Sequence, residues 1–370
     1  MAIDWTISRR GLVYGGIAAL AGTLGGSRRN ARANPNFPSR TLISAARIND
    51  TDGGALVCEE GLCPFALPAR AHGAIRLARS EQVVLVGRRP GKFAAIIDPA
   101  SPQTAPRVFA PLEGHRFAGH AAVNGETLVT SEMDEESGEG AVVWRNASGM
   151  PKQRLALGIE PHDVLFARGG DTLVAAVGGI AHAAVIKGPA INAGKIDSFI
   201  VELDPKSGNV IRRHRLPADM KSLSLRHMAL APDGETVAFG MQDQDRSEVR
   251  PVMGLLRLGR GIDLLPLPEG EAGGLRSYIG SVAVDSSGRY VAATSPKGGT
   301  VGLWSLSDGR WLGGFNLPDV CGLAADDQSA RFWVTSGYGD VARLRADDEG
   351  FAVDAQWRAP AAFDNHLLRI

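Results

Sequence analysis

The chain repeats itself in fours. No stretch of any length beyond the first 33 residues keeps a helical period. Instead, apolar alternations of five to eight residues recur, split by turns such as Pro232-Asp233-Gly234 and Ser286-Ser287-Gly288. One set of four reads RAHGAIRL, QVVLVGRR, KFAAIIDP and PRVFAPL, and further sets begin near Phe117, Glu160, Ser224, Tyr278 and Asp319. With 46 glycines and 21 prolines the chain has the turn residues that so many short strands need.

Six complete sets leave two fragments. FDNHLLRI, at 363–370, has the form of a first strand; TLISAARI, GALVCEE and CPFALPA, near the start, have the forms of a second, third and fourth. Joined, they make a seventh set, the closure expected of a β-propeller whose last blade is shared between the two ends of the chain. A sandwich or an open solenoid gives those ends no reason to complement each other. Residues 34–370 divided by seven give about 48 residues per blade, near the usual repeat length. The expected fold is all-β: one seven-bladed propeller domain over 34–370, with four-stranded blades.

Aligning the first strands exposes a column. His72, His120, His162, His227, Ser281, Cys321 and His366 occupy one register, and the chain has only 8 histidines. First strands are innermost in a propeller and start at one mouth of its channel, so the column becomes a ring around the axis. Each histidine alone also fits a blade-to-blade hydrogen bond of the WD-repeat kind. Yet the Trp-Asp dipeptide of such repeats is missing, since Trp144 is followed by Arg145 and Trp304 by Ser305. Imidazole suits zinc, copper and iron, and thiolate the softer metals. The set His72, His120, His162, His227, Cys321 and His366 is therefore the candidate metal site, two or three neighbours ligating. Loops at the same mouth supply Glu132, Asp134, Arg89, Arg226 and His182 as supporting or ligand-binding residues. Asp243, Asp245 and Lys195 lie in similar loops, whereas Glu135 and Glu136 read as a solvated face.

Several classes are excluded. The charge is balanced, Lys+Arg 40 against Asp+Glu 40, which argues against nucleic acid. No glycine-rich strand-to-helix motif signals a nucleotide, no C-x-x-C-H a covalent haem, and no G-x-S-x-G or H-E-x-x-H a hydrolase. Ser8-Arg9-Arg10-Gly11-Leu12, a short apolar run to Leu24 and Ala31-Arg32-Ala33 read as a cleaved twin-arginine signal over residues 1–33. A retained anchor fits the same residues. The expectation is a folded, monomeric periplasmic protein with no membrane span after cleavage. In that oxidising compartment the CEEGLC segment permits a Cys58–Cys63 disulfide.

The segments GRRPG, HRFAGH with SEMDEESGEG, GIEPHDVLF to VGGIAH, LSLRHMAL, YIGSVAVD with TSPKGG, DVCGLAA and FDNHL together resemble one bacterial family, the domain of unknown function 1513. The resemblance spans essentially all of the expected mature chain. It implies a twin-arginine-exported seven-bladed propeller whose genes often neighbour imelysin-type iron-uptake proteins and haem-containing redox proteins, hence such partners and a role in periplasmic iron handling. The family's characteristic residues match here at His72, His120, His162, Arg226, His227, Cys321 and His366, and at Glu132 and Asp134. Three functions fit: a propeller binding iron or copper at a histidine-lined mouth, a metal-dependent lactonase-like hydrolase or oxidoreductase, and a metal-free scaffold that docks an uptake partner.

Overall fold

The computed structural model describes residues 41–370 apart from 79, 89, 182–191, 193–195, 246 and 247; the expected signal, 1–33, lies outside them. Each set of four alternations pairs as an antiparallel meander, giving six four-stranded sheets and a closing sheet built from both ends. Blades 1–6 follow chain order, with first strands Ala71–Arg76, His115–Asn124, Pro161–Ala167, Leu223–Leu230, Ser281–Val284 and Val320–Ala325. These strands touch in order around the ring. The protein is the expected seven-bladed β-propeller.

Burial follows from the stacking of blades. Second and third strands are covered on both faces, so Val83–Gly87, Thr172–Val177 and Phe199–Leu203 are buried along their whole length. Outer strands are not, and Val210–Arg215 carries three arginines with only His214 buried. The core therefore lies between blades. Ile43, Leu56 and Phe65 of the closing blade pack with Val83, Leu85 and Ile97 of blade 1, and Leu42 and Leu367 pack with Trp333 of blade 6. Each such side chain contributes about 1.5–3 kcal/mol of transfer free energy.

Blade 7 joins Leu42–Ile48, Thr51–Cys58 and Gly61–Ala66 to the end of the chain. The expected unbroken strand FDNHLLRI is instead two pieces, Ala362–Phe363 and Leu368–Arg369, which pair with Leu42–Ile48 as Ala46↔Phe363 and Ile43↔Leu368. Between them the Asp364 carboxylate is drawn to Arg70 and Arg88, and His366 takes a φ of 72°. The seam is nevertheless bonded throughout: Asp364 N donates to Ala45 O (2.9 Å), Ile370 N to Thr41 O (3.0 Å) and Ser44 Oγ to His366 O (3.0 Å).

That interruption is one case of a pattern. The ladder between first and second strands slips at Ala71/Ala74, Phe117/Ala121, Pro161/Asp163, Leu225/Met228 and Val320/Gly322. Each slip contains the blade's residue of the sequence column. A bulge frees one residue from the pleat and re-aims its side chain. Hydroxyls on neighbouring second strands take up carbonyls freed by the slips: Ser131 Oγ donates to His162 O (3.1 Å) and Thr294 Oγ1 to Cys321 O (3.0 Å).

The expected disulfide is absent. Cys58 and Cys63 are free thiols on one hairpin, where Cys58 lies opposite Gly61 and Cys63 opposite Leu56. They are thus a diagonal step apart, with Cys58 Sγ on the Gly61 carbonyl (3.6 Å). Among the described residues no helix is long and apolar enough to cross a membrane.

Candidate metal centre

The bulges bring five imidazoles from five blades together. His120 is the hub: its ring centroid lies 4.9 Å from His162, 5.4 Å from His227, 4.7 Å from His366 and 5.1 Å from His72. His72 and His366 are 4.5 Å apart, and His162 and His227 4.8 Å. His72, His120, His162 and His227 are buried and His366 is partly buried. Close approach at the hub depends on Gly119, whose φ is 106° and whose missing Cβ would stand 2.6 Å from His72 Cδ2.

The Nδ1 atoms have different partners. His120 Nδ1 is 3.2 Å from Asp163 Oδ1, and that carboxylate is itself fixed by the backbone N–H of Val164 and of Met228 (2.8 Å each). His366 Nδ1 meets Ser281 Oγ at 3.2 Å. His72 Nδ1 stands 3.6 Å from Asp364 Oδ1, beyond a hydrogen bond. His162 Nδ1 accepts from Arg226 Nη1 (3.1 Å), whose guanidinium grips Glu160 with both terminal nitrogens (2.8 and 3.0 Å). A guanidinium only donates, so in neutral His162 the ring proton sits on Nε2.

Every imidazole in the ring keeps one buried nitrogen with no hydrogen-bond partner: Nδ1 in His72 and His227, Nε2 in His120, His162 and His366. Four of the rings are held neutral. Burial lowers His72 to about 4, against the pull of Asp364. Burial likewise takes His162, His227 and His366 well below the usual imidazole value, reinforced by Arg226 at His162, by His120 at His227 and by His72 at His366. Asp364 is raised by burial, but His72 and the guanidiniums of Arg88 and Arg70 outweigh that and keep it ionised.

Two triads have ligand atoms within 4.8 Å of one another, His72–His120–His366 and His120–His162–His227. They share His120, whose Nδ1 faces Asp163, so its one free nitrogen serves either triad and not both at once. In the first triad His120 points its Nδ1 at a carboxylate, which leaves its Nε2 free with its lone pair, and His366 points its Nδ1 at a hydroxyl that is able to accept from it, the arrangement that orients metal-binding histidines. In the second, His162 offers a protonated Nε2. These histidine groups are suited to hold a metal ion, and the first triad is the better fit. Above the ring opens a cavity of about 530 Å³ lined by His72, His162 and His227 together with Arg70, Arg88 and Arg226.

The remaining expected site residues are placed elsewhere. Cys321 shares the register, but its Sγ ends one bond beyond Cβ and points at the carbonyls of Thr335, Phe363 and Asp364 (3.6, 3.4 and 3.4 Å) within an apolar cluster. Burial raises its thiol far from a thiolate, so it is no ring ligand. Glu132 does not support the ring either. It is fully buried inside blade 2, paired with Arg145 Nε at 3.1 Å and accepting from Thr130 Oγ1 (2.7 Å) and Leu112 N (2.8 Å). Asp134 caps its own turn through Ser137 N and Oγ (2.7 and 2.8 Å). Asp243 and Asp245 are gathered by Arg250 (3.0 and 3.3 Å). Arg89, His182 and Lys195 lie outside the described residues.

Four partners were not foreseen: Asp163, Asp364, Glu160 and Ser281. Each had a faint signal, because Glu160 and Asp163 flank His162, Asp364 precedes His366 by two, and Ser281 stands in the column itself. Nothing in the sequence says which blade each one serves. Asp163 sits beside His162 in the chain but serves His120 of the preceding blade.

A family model described as "Protein of unknown function (DUF1513)" matches residues 65–370. No curated protein matches the chain. Among solved structures the chain is similar to Kuenenia stuttgartiensis hydrazine synthase, with a TM-score of 0.52 and 14% identity over 75% of this chain and 83% of that one. It is also similar to a chain in a crystal structure of the mitotic checkpoint complex, with a TM-score of 0.57 and 13% identity over 94% and 90% of the two. At these identities the likeness is one of fold.

Proposed function

The chain belongs to the DUF1513 family, and we propose that it is a periplasmic metal-binding propeller that holds one iron or copper ion on His72, His120 and His366. One observation carries this reading: five imidazoles from five blades converge, each with a buried nitrogen that nothing satisfies. A buried polar atom without a partner costs about 1–3 kcal/mol, so five together forfeit roughly 5–15 kcal/mol, as much as the whole stability of an ordinary domain. A metal on His72, His120 and His366 would take lone pairs from three of these rings and so offset part of the loss.

The donor set argues for the class of metal. With Cys321 turned away and Asp163 and Asp364 facing Nδ1 atoms, the ring offers imidazole nitrogen, which suits copper, iron and zinc rather than magnesium or calcium. Three protein ligands would leave coordination positions free, and a bound metal would there supply a Lewis acid or redox centre. The twin-arginine motif of the first 33 residues supports the periplasmic address, and iron handling there is the role it serves.

The test is elemental analysis of protein exported through its own signal. About one iron or copper per chain is expected, falling to background in His120→Ala, which removes the residue common to both triads, while His227→Ala keeps the metal. Background metal in the unaltered protein, or equal metal in His120→Ala, would sink the reading.

A further inference from the structure

The cavity over the ring has a chemistry that the metal ligands do not account for. Arg70, Arg88, Arg226, Gln242, Tyr278 and His162 all line it. Arg70 and Arg88 share a single carboxylate, Asp364, which is buried behind them, so the charge presented to the cavity is positive. Lys297, 4.2 Å from the centre of the Tyr278 ring, lines the adjoining recess together with Asp319. The acids nearest this space do not reverse the sign: Glu160 is paired with Arg226 at 2.8 Å and Asp52 with Arg47 at 3.1 Å, which leaves Arg70 and Arg88 against the one carboxylate of Asp364.

Two buried donors of this lining have no acceptor. Arg226 is 6% exposed, lines the cavity, and its Nε has no hydrogen-bond partner. The unpartnered Nε2 of His162 carries that ring's proton, because its Nδ1 accepts from Arg226. Buried donors of this kind call for an anionic oxygen. The donors line a space of about 530 Å³, far more than one phosphate or sulfate fills.

We infer that this cavity binds a small polycarboxylate, two or three carboxylate groups on a compact carbon frame, with one carboxylate at Arg226 and His162 and another at Arg70 and Arg88. The inference deepens the metal-centre reading by naming the class of molecule that meets the ring. Its test separates the two. Isothermal titration of the exported full chain would use tricarballylate, citrate, acetate and inorganic phosphate, with metal content measured on the same samples. Tricarballylate carries three carboxylates but lacks the hydroxyl that makes citrate a strong chelator, so its heat reports the cavity rather than metal removal.

Tricarballylate is expected to bind at least tenfold tighter than acetate or phosphate. Arg88→Gln and Gln242→Leu should each weaken it at least fivefold while melting as folded proteins. No heat with tricarballylate, equal binding of phosphate, or unchanged binding in both folded variants would overturn the inference. Metal present without tricarballylate binding overturns it alone. Tricarballylate binding to protein that never contains metal upholds it and removes the metal reading instead.

Discussion

Replacing Glu132 with alanine discriminates sharply between a site residue and a structural one. Glu132 is wholly enclosed and Arg145 is 1% exposed; the guanidinium lies 5.6 and 5.4 Å from the ring centres of Phe109 and Phe117 and also donates to Gly149 O (2.6 Å). Removing the carboxylate leaves that charge buried without a counter-ion and strips the acceptor from Thr130 Oγ1 and Leu112 N. Breaking a buried pair from one side costs about 3–5 kcal/mol. At roughly 2–4 °C per kcal/mol for a chain of this order of size, the Tm of Glu132→Ala should fall by about 10 °C. The double variant Glu132→Ala, Arg145→Met removes both charges and should recover much of that loss, a coupling that thermal or urea melts of the unaltered protein, the two single variants and this double measure directly. Metal per folded molecule should be the same in all four. A loss under about 1 kcal/mol, or metal loss without a fall in Tm, would refute the placement of Glu132 as the lock of blade 2.

Three further outcomes follow from the geometry. In metal-stripped protein, His72 titrates near 4 when folded and near 6.5 when unfolded, so the unfolded chain takes up the proton first and stability falls as pH drops through that window. His72 alone accounts for about 3 kcal/mol lost by pH 4, and urea melts in chelator at pH 7.5, 6 and 4.5 that coincide would contradict it. Gly119→Ala places a Cβ against His72 Cδ2 at a φ of 106°, and should weaken metal retention at least tenfold in a competition with a chelator; wild-type retention would show that His72 is no ligand. Deleting residues 362–370 uncovers the Leu42–Ile48 edge and should make the protein aggregate in light scattering, whereas a monodisperse truncated protein would show that the closing pieces are dispensable.

The fold was legible because a propeller writes its period plainly: strands covered on both faces, such as Val83–Gly87, and turn residues between them recur in every blade. The ring was legible because a bulge at a fixed register makes five histidines line up in the sequence as they line up in space. What failed was direction. Cys321 holds the right register, yet its short side chain ends among carbonyls. Glu132 stands at a strand end near the mouth, but it faces into the blade toward Arg145, one strand over. Alternation tells which of two faces a residue takes, not which neighbouring blade supplies its partner, and so Asp163 could not be matched with His120 or Asp364 with His72.

The interrupted closing strand has a consequence for assembly. The two C-terminal pieces of blade 7 are held to Leu42–Ile48 by only a few ladder pairs on each side of His366, and that histidine is delivered to the ring only when the end of the chain docks. A metal on His72, His120 and His366 would join residues separated by nearly the whole propeller, tying the last segment to blades 1 and 2 across the seam. It would then act as a clasp as well as a ligand site: loading would lock the circle against fraying, and opening the circle would be the path by which the ion leaves. Release of metal and local unzipping of the C-terminal strand would be one event, and amide exchange at Asp364–Arg369 would run at the rate of metal loss.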